Sequence, residues 1–323
     1  MDNQPLFDTI EPDIIDRLAE RRLEIEQGSS ARPGVVAALA LGSVPIALAV
    51  LSKDVYGMVP TAAIKAVLDF ALALEIFEDE FYKAVLGTSA NSAANNAFAT
   101  VRTAAAAVPG AVATLQQIEK HEAAHRATLL GAGATNVFNL NETSFDFTGA
   151  RGAGNGPFAK ATTDLAFLLE VAQGAEDTGV RAYKGQAGNL MADPATLEAA
   201  LRIHSVEARH ASRIRRMRRL AAGAGATVRL SGTVRGGGAA AAGATDTGPN
   251  PSAVTAAFDK IYGAGANATT APSEANVTQA GVNVSSLSGA SFGTEAAQEA
   301  FDEPLDRADV VAIVQPFFIP NIF

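Results

Sequence analysis

Two short stretches constrain this chain more than any others. LQQIEKHEAAHRATL, residues 115–129, places Glu122 and His125 three residues apart, and IHSVEARHASRI, residues 203–214, repeats that spacing with Glu207 and His210. On a helix, residues three apart lie on one face. The chain has only 4 histidines, and two of them follow a glutamate by three. Two Glu-x-x-His helices, joined by one glutamate from each of two further helices, build a dinuclear metal site inside a four-helix bundle. The expected fold is therefore all-α, a four-helix bundle.

The two further helices can be read from the periodicity. Residues 61–86 carry Ile64, Val67, Leu68, Ala71, Leu72, Glu75, Glu78 and Tyr82 in steps of three and four, and Gly87 ends the run. Glu75 sits inside the apolar run ALALEIF. A buried carboxylate needs a charge partner, and a metal is one. A second helix is expected over 93–107, and 110–130 forms the first Glu-x-x-His helix, closed by Gly131 and Gly133. A Gly/Asn-rich loop with Phe145, Asp146, Phe147 and Thr148 spans 131–157; a loop of that length is functional or a crossover between bundle helices. The next helix is expected over 157–190, started by Pro157, with Glu176 as its candidate ligand and Glu170 less well placed. Asp193-Pro194 starts the last bundle helix, which runs to about 220 and ends in six arginines between 209 and 219, a solvated basic face.

The two helix pairs repeat each other. Glu75 is followed seven residues on by Tyr82 and then by Glu122-x-x-His125; Glu176 is followed seven residues on by Tyr183 and then by Glu207-x-x-His210. Seven residues is close to two helical turns, so each tyrosine shares its glutamate's face. A duplicated helical hairpin is the simplest model. Each tyrosine is either a hydrogen-bond or electron donor beside the site or ordinary core filling with a bonded hydroxyl.

Composition sets limits. The 323 residues are 48% hydrophobic and 18% charged, with a net charge of −9, which argues against nucleic acid as a partner. There is no cysteine, so a metal would be held by oxygen and imidazole. The chain divides into an N-terminal helical segment at 1–60, the bundle at 61–220 and a loop-rich extension at 221–323. In the first part, 1–33 reads as an acidic solvated helix. Residues 34–51 form the most apolar stretch, interrupted by Pro45 and preceded by acidic residues; the reading favours a buried helix over a secretion signal or a membrane anchor, and the cytoplasm over the periplasm or export. In the extension, a short helix is expected at 251–262, two more over 294–313, and the tail QPFFIPNIF is apolar enough to pack.

The same histidines allow a second reading. His121-Glu122-Ala123-Ala124-His125 is literally H-E-x-x-H, in which His121 and His125 bind zinc, Glu122 is the general base of a protease and Glu142 is available as third ligand. That leaves Glu207 and His210, and the repeated Glu75 and Glu176, without a role. In the dinuclear reading His125 and His210 each give one nitrogen, Glu122 and Glu207 bridge, and Glu75 and Glu176 are terminal. Four carboxylates balance two divalent cations, and hard oxygen donors with imidazole suit two iron or two manganese ions.

The stretches LEIFEDEFYKAVL, IEKHEAAHRATLL, FDFTG, AEDTGVRAYKG, VEARHASRIR and FDEPLDRADVVAIVQPF resemble the ferritin-like domain proteins, in particular the bacterial branch related to plant desiccation-related proteins. The resemblance implies a ferritin-like bundle with Glu75, Glu122, His125, Glu176, Glu207 and His210 as metal ligands. Members often carry a twin-arginine export signal, a pattern that this N-terminus lacks. The expected chemistry is redox in stress protection, with oxygen, peroxide or Fe(II) as the small molecules handled; the expected partner is a second copy of the chain. The competing expectation is a stress-protective protein that binds a partner without catalysis.

Overall fold

The computed structural model describes residues 60–221, 251–287, 297–298 and 300–323. The acidic segment at 1–33 and the apolar stretch at 34–51 lie outside the described residues.

Four long helices form a bundle: α1 (Ala62–Leu86), α4 (Ala111–Gly131), α5 (Leu165–Gln186) and α6 (Pro194–Ala221). Short α2 (Ser92–Ala97) and α3 (Ala99–Ala106) connect the first pair. α1 packs chiefly on α4 and α5 on α6, so the bundle is two helical hairpins placed face to face.

The boundaries follow from local chemistry. The Thr61 side chain accepts from Ile64 N at 3.3 Å, capping α1, and Gly87 closes it with a left-handed φ of 80°. Where one helix was expected over 93–107, two are seen, because Phe98 turns into the core against Phe81 and Phe147, with ring centroids 6.0 and 5.9 Å away. Burying a phenylalanine stabilises by roughly 1.5–3 kcal/mol, enough to offset one broken helical turn. The third bundle helix begins at Leu165 and not near Pro157: Asp164 caps it, accepting from Phe167 N at 3.1 Å. A 3₁₀ turn (Ala159–Thr162) precedes it, and the expected end near 190 is a second such turn (Ala187–Leu190). At α6 the Asp193 carboxylate accepts from the backbone of Ala195 and Thr196, both at 3.2 Å, in front of Pro194.

The loop after α4 is a crossover organised around Asp146. Its carboxylate accepts from Thr148 N (2.9 Å), Thr148 Oγ1 (2.6 Å), Gly152 N (2.8 Å) and Gly154 N (3.0 Å). The C-terminal tail pairs with this loop: Phe145 bridges Phe318 in antiparallel sense, and Asp146 N donates to Phe317 O at 2.8 Å. Phe77, Phe81, Phe145, Phe147, Phe317 and Phe318 interlock there, with neighbouring centroids 5.2 to 6.4 Å apart.

The rest of the described extension lies against α5. It contains α7 (Pro251–Tyr262), a two-stranded ribbon of β1 (Thr278–Gln279) and β2 (Val282–Asn283), and α8 (Arg307–Val314). Two helices were expected over 294–313; residues 297–298 are helical, residues 301–306 carry no regular secondary structure, and α8 follows. The junction centres on Arg181 of α5, whose side chain is fully buried. Its guanidinium donates to the carbonyls of Glu303 (2.9 Å), Ile261, Gly263 (3.1 Å), Pro272 (2.9 Å) and Pro304 (3.3 Å), and Nε lies 2.9 Å from Glu274 Oε1. Among the described residues, no helix is long and apolar enough to cross a membrane.

Candidate metal centre

Each bundle helix delivers side chains to one buried cluster. Glu75 comes from α1, Glu122 and His125 from α4, Glu176 from α5, and Glu207 and His210 from α6. All six are buried, Glu122, Glu176 and Glu207 completely. Their donor atoms fall into two groups, Glu75–Glu122–His125–Glu207 and Glu122–Glu176–Glu207–His210, in each of which one atom per residue lies within 4.8 Å of the others. Glu122 and Glu207 are common to both groups.

Both imidazoles turn Nδ1 toward the carboxylates. His125 Nδ1 lies 3.1 Å from Glu75 Oε2, 3.1 Å from Glu122 Oε2 and 2.8 Å from Glu207 Oε1. His210 Nδ1 lies 2.8 Å from Glu122 Oε1 and 3.2 Å from Glu176 Oε2. The 2.8 Å contacts are out of hydrogen-bond alignment: Glu122 Oε1 and both oxygens of Glu207 are buried without a hydrogen-bond donor. Buried carboxylate oxygens without donors are costly unless a cation takes them up. A set of hard oxygens with two imidazole nitrogens fits iron or manganese.

Residues 65–219 match a family model described as a ferritin-like domain. The matched stretch spans the bundle, whose fold is ferritin-like. No curated protein and no solved structure matches the chain.

In this ferritin-like bundle the tyrosines act across the two hairpins. Tyr82 Oη donates to Glu176 Oε1, and Tyr183 Oη donates to Glu75 Oε1 at 2.5 Å. Both hydroxyls are buried, and burial together with the facing carboxylate pushes each well above the usual phenol range, so both stay protonated as donors. A bonded hydroxyl belongs to both sequence expectations for these residues, and the partner of each is a carboxylate of the cluster.

Burial also sets the carboxyls apart. It pushes Glu75 up to about 8, against the pull of His125, and lifts Glu176 well above the carboxylate range despite His210. Glu122 and Glu207 are held below that range: burial raises both, but the two imidazoles prevail. His125 and His210 are raised in turn, because the surrounding carboxylates outweigh their burial. The metal-free cluster thus balances two imidazolium charges against two carboxylates. With all four carboxylates ionised and the imidazoles neutral, two divalent cations give the same neutrality.

His121 joins neither group. Its Nδ1 is 2.9 Å from His210 Nε2, and Gln117 Nε2 lies 2.6 Å from its other nitrogen. Burial and the neighbouring His210 and His125 push His121 down to about 4. Glu142 is also outside both groups, so the zinc-protease arrangement lacks its first and third ligands.

Glu78 was passed over in the sequence, where it counted only as one position of the α1 stripe. It is buried, three residues from Glu75 on the same face, and burial with the nearby Glu207, Glu122 and Glu176 lifts it well above the carboxylate range. It borders an apolar cavity of about 50 Å³ roofed by Phe258, Ile261 and Phe317 from the extension. Gly179 forms the floor: a Cβ there would sit 3.6 Å from both Glu78 Oε1 and Glu207 Oε2. The basic end of α6 is less solvated than expected. Arg215 pairs with Asp177 at 2.6 Å, and Arg218 donates to Gln173 Oε1 at 2.6 Å.

Proposed function

We propose that this chain is a non-haem dinuclear carboxylate protein of iron or manganese that carries out redox chemistry with oxygen or peroxide. The observation that carries this reading is the sharing of Glu122 and Glu207 between two donor groups, each completed by one histidine and one further glutamate. Glu122 and Glu207 would bridge two ions; Glu75 with His125, and Glu176 with His210, would complete the two ends. When bound, such a pair supplies reversible one-electron steps and open positions for an oxygen species.

The chain's own residues do the rest. Tyr183 and Tyr82 hold Glu75 and Glu176 by one oxygen each, leaving the other oxygen turned to its histidine and fixing the carboxylate's orientation. Glu78, protonated in its apolar surroundings, is placed to give or take a proton at the cavity side of the cluster. The aromatic cover from the extension limits water there. The resemblance to the desiccation-related branch supports a stress-protective role, and self-association and a cytoplasmic setting belong to the same reading. The bundle at 61–220 would carry the chemistry and the extension at 221–323 its cover.

Loading metal-free protein with Fe(II) or Mn(II), then measuring oxygen or peroxide consumption, tests the reading. Turnover lost in Glu122→Ala with folding kept supports catalysis. A second reading, in which the ions only stabilise the bundle, is favoured by one observation: the six donors come from all four long helices, so bound ions would tie the bundle together. On that reading Glu122→Ala lowers the melting temperature sharply, and wild-type protein shows no turnover.

A further inference from the structure

α4 and α6 touch each other less than the partners within each hairpin, and between them lies a cleft of about 620 Å³. That volume is in the range of small-molecule sites, roughly 300–1,000 Å³. Its base is formed by the rings of His121, His125 and His210, and its walls are largely apolar, with Ile118, Ile203 and Val206 among them. The remaining charge in the lining is of one sign. Arg202, Arg209 and Arg213 line one wall, and among the described residues no aspartate or glutamate lines the cleft. Spacings of seven and four put the three on one face of α6. Arg202 is paired with Glu198, whereas Arg209 and Arg213 have no ion-pair partner among the described residues. In a chain of net charge −9, a concave site with two guanidiniums that no carboxylate balances among the described residues is a local inversion of the field. Such a field repels an approaching divalent cation and draws in an anion. The walls add a requirement for apolar surface.

We propose that the cleft between α4 and α6 binds a small organic anion with an apolar body, its carboxylate on Arg209 and Arg213 and its chain along Ile203 and Val206. Guanidinium forks match carboxylates, and an apolar wall gives affinity that a bare inorganic anion would not gain. This goes beyond the metal centre, since the guanidiniums and walls do not depend on a bound ion.

Calorimetry on the full chain, with octanoate as the probe, tests it in both metal-loaded and metal-free protein. Octanoate should bind in both forms, and octanol and acetate at least tenfold more weakly. Arg209→Gln with Arg213→Gln should weaken octanoate at least tenfold, while Arg216→Gln, outside the lining, should leave it unchanged. Val206→Glu, which puts an acid into the wall, should abolish binding; helical circular dichroism of each variant checks the fold. Absence of octanoate binding, equal affinity for octanol, or unchanged binding in the double arginine variant would overturn the proposal. Metal content is measured separately on the same samples, so failure of the anion site and failure of the metal reading are told apart.

Discussion

The Tyr82 hydroxyl crosses from the first helical hairpin to the second to donate a hydrogen bond to Oε1 of Glu176. Tyr183 makes the reciprocal bond, from the second hairpin to Glu75 in the first. The duplication visible in the sequence is thus interlocked: each half positions a carboxylate of the other.

That interlock predicts a directional effect. Tyr82→Phe frees Glu176 and should weaken the Glu176–His210 end of the centre; Tyr183→Phe should weaken the Glu75–His125 end. Loss of a bond orienting a ligand typically costs about 10–100-fold in metal affinity. Competition titration with a metallochromic chelator should show one of two steps weakened in each variant. Equal weakening of both steps would contradict the assignment.

Sharing of Glu122 and Glu207 predicts unequal consequences for the glutamates. Glu75→Ala or Glu176→Ala should leave about half the bound metal, because each belongs to one donor group. Glu122→Ala should lose nearly all of it, because Glu122 belongs to both. Atomic emission on purified variants reads this out, and half-occupancy in Glu122→Ala would exclude its bridging place.

Protonation predicts the pH dependence. Burial pushes Glu75 up to about 8 in the folded metal-free protein, against 4.5 for an ordinary glutamate. Between those values the folded state holds a proton that the unfolded state has lost, so Glu75 makes metal-free stability fall as pH rises through that window. Coordination requires Glu75 to release that proton, and His125 and His210 to release theirs, so metal affinity should rise with pH between 6 and 8. Each proton released gives about a tenfold change in affinity per pH unit. Calorimetry in buffers of different ionisation enthalpy counts those protons; a pH-independent affinity between 6 and 8 would contradict the assignment.

The extension should depend on two positions of α5. Arg181→Met removes five hydrogen bonds to backbone carbonyls and takes the ion-pair partner from Glu274, a loss of roughly 3–5 kcal/mol. Gly185→Ala would place a Cβ 1.9 Å from the carbonyl oxygen of Leu305, backbone that cannot move aside without undocking. Both variants should open the segment after 250 to limited proteolysis while the bundle keeps its helicity.

Much of this could be read from the chain. Glu-x-x-His is a local spacing, and the seven-residue step from Glu75 to Tyr82 survives into the structure because both lie on one unbroken helix. The tyrosine's partner could not be read, since it depends on which hairpin faces which. Glu78 stayed hidden because a glutamate three residues from Glu75 looks like any polar edge of a stripe; only the approach of Gly179 shows that the edge is closed. Arg181 left no pattern at all, because its partners are backbone carbonyls 80 to 123 residues further on. Pro157 misled the placement of α5, since a proline favours a helix start without requiring one, whereas the Asp164 cap supplies the hydrogen bond.

The central claim is tested most directly by the metal content of protein purified without chelators, beside the Glu122→Ala/Glu207→Ala double variant. The account predicts about two iron or manganese ions per chain, absent from the variant. A chain that takes up neither metal after loading with Fe(II) or Mn(II), or one that holds a single zinc lost on His121→Ala, would contradict it.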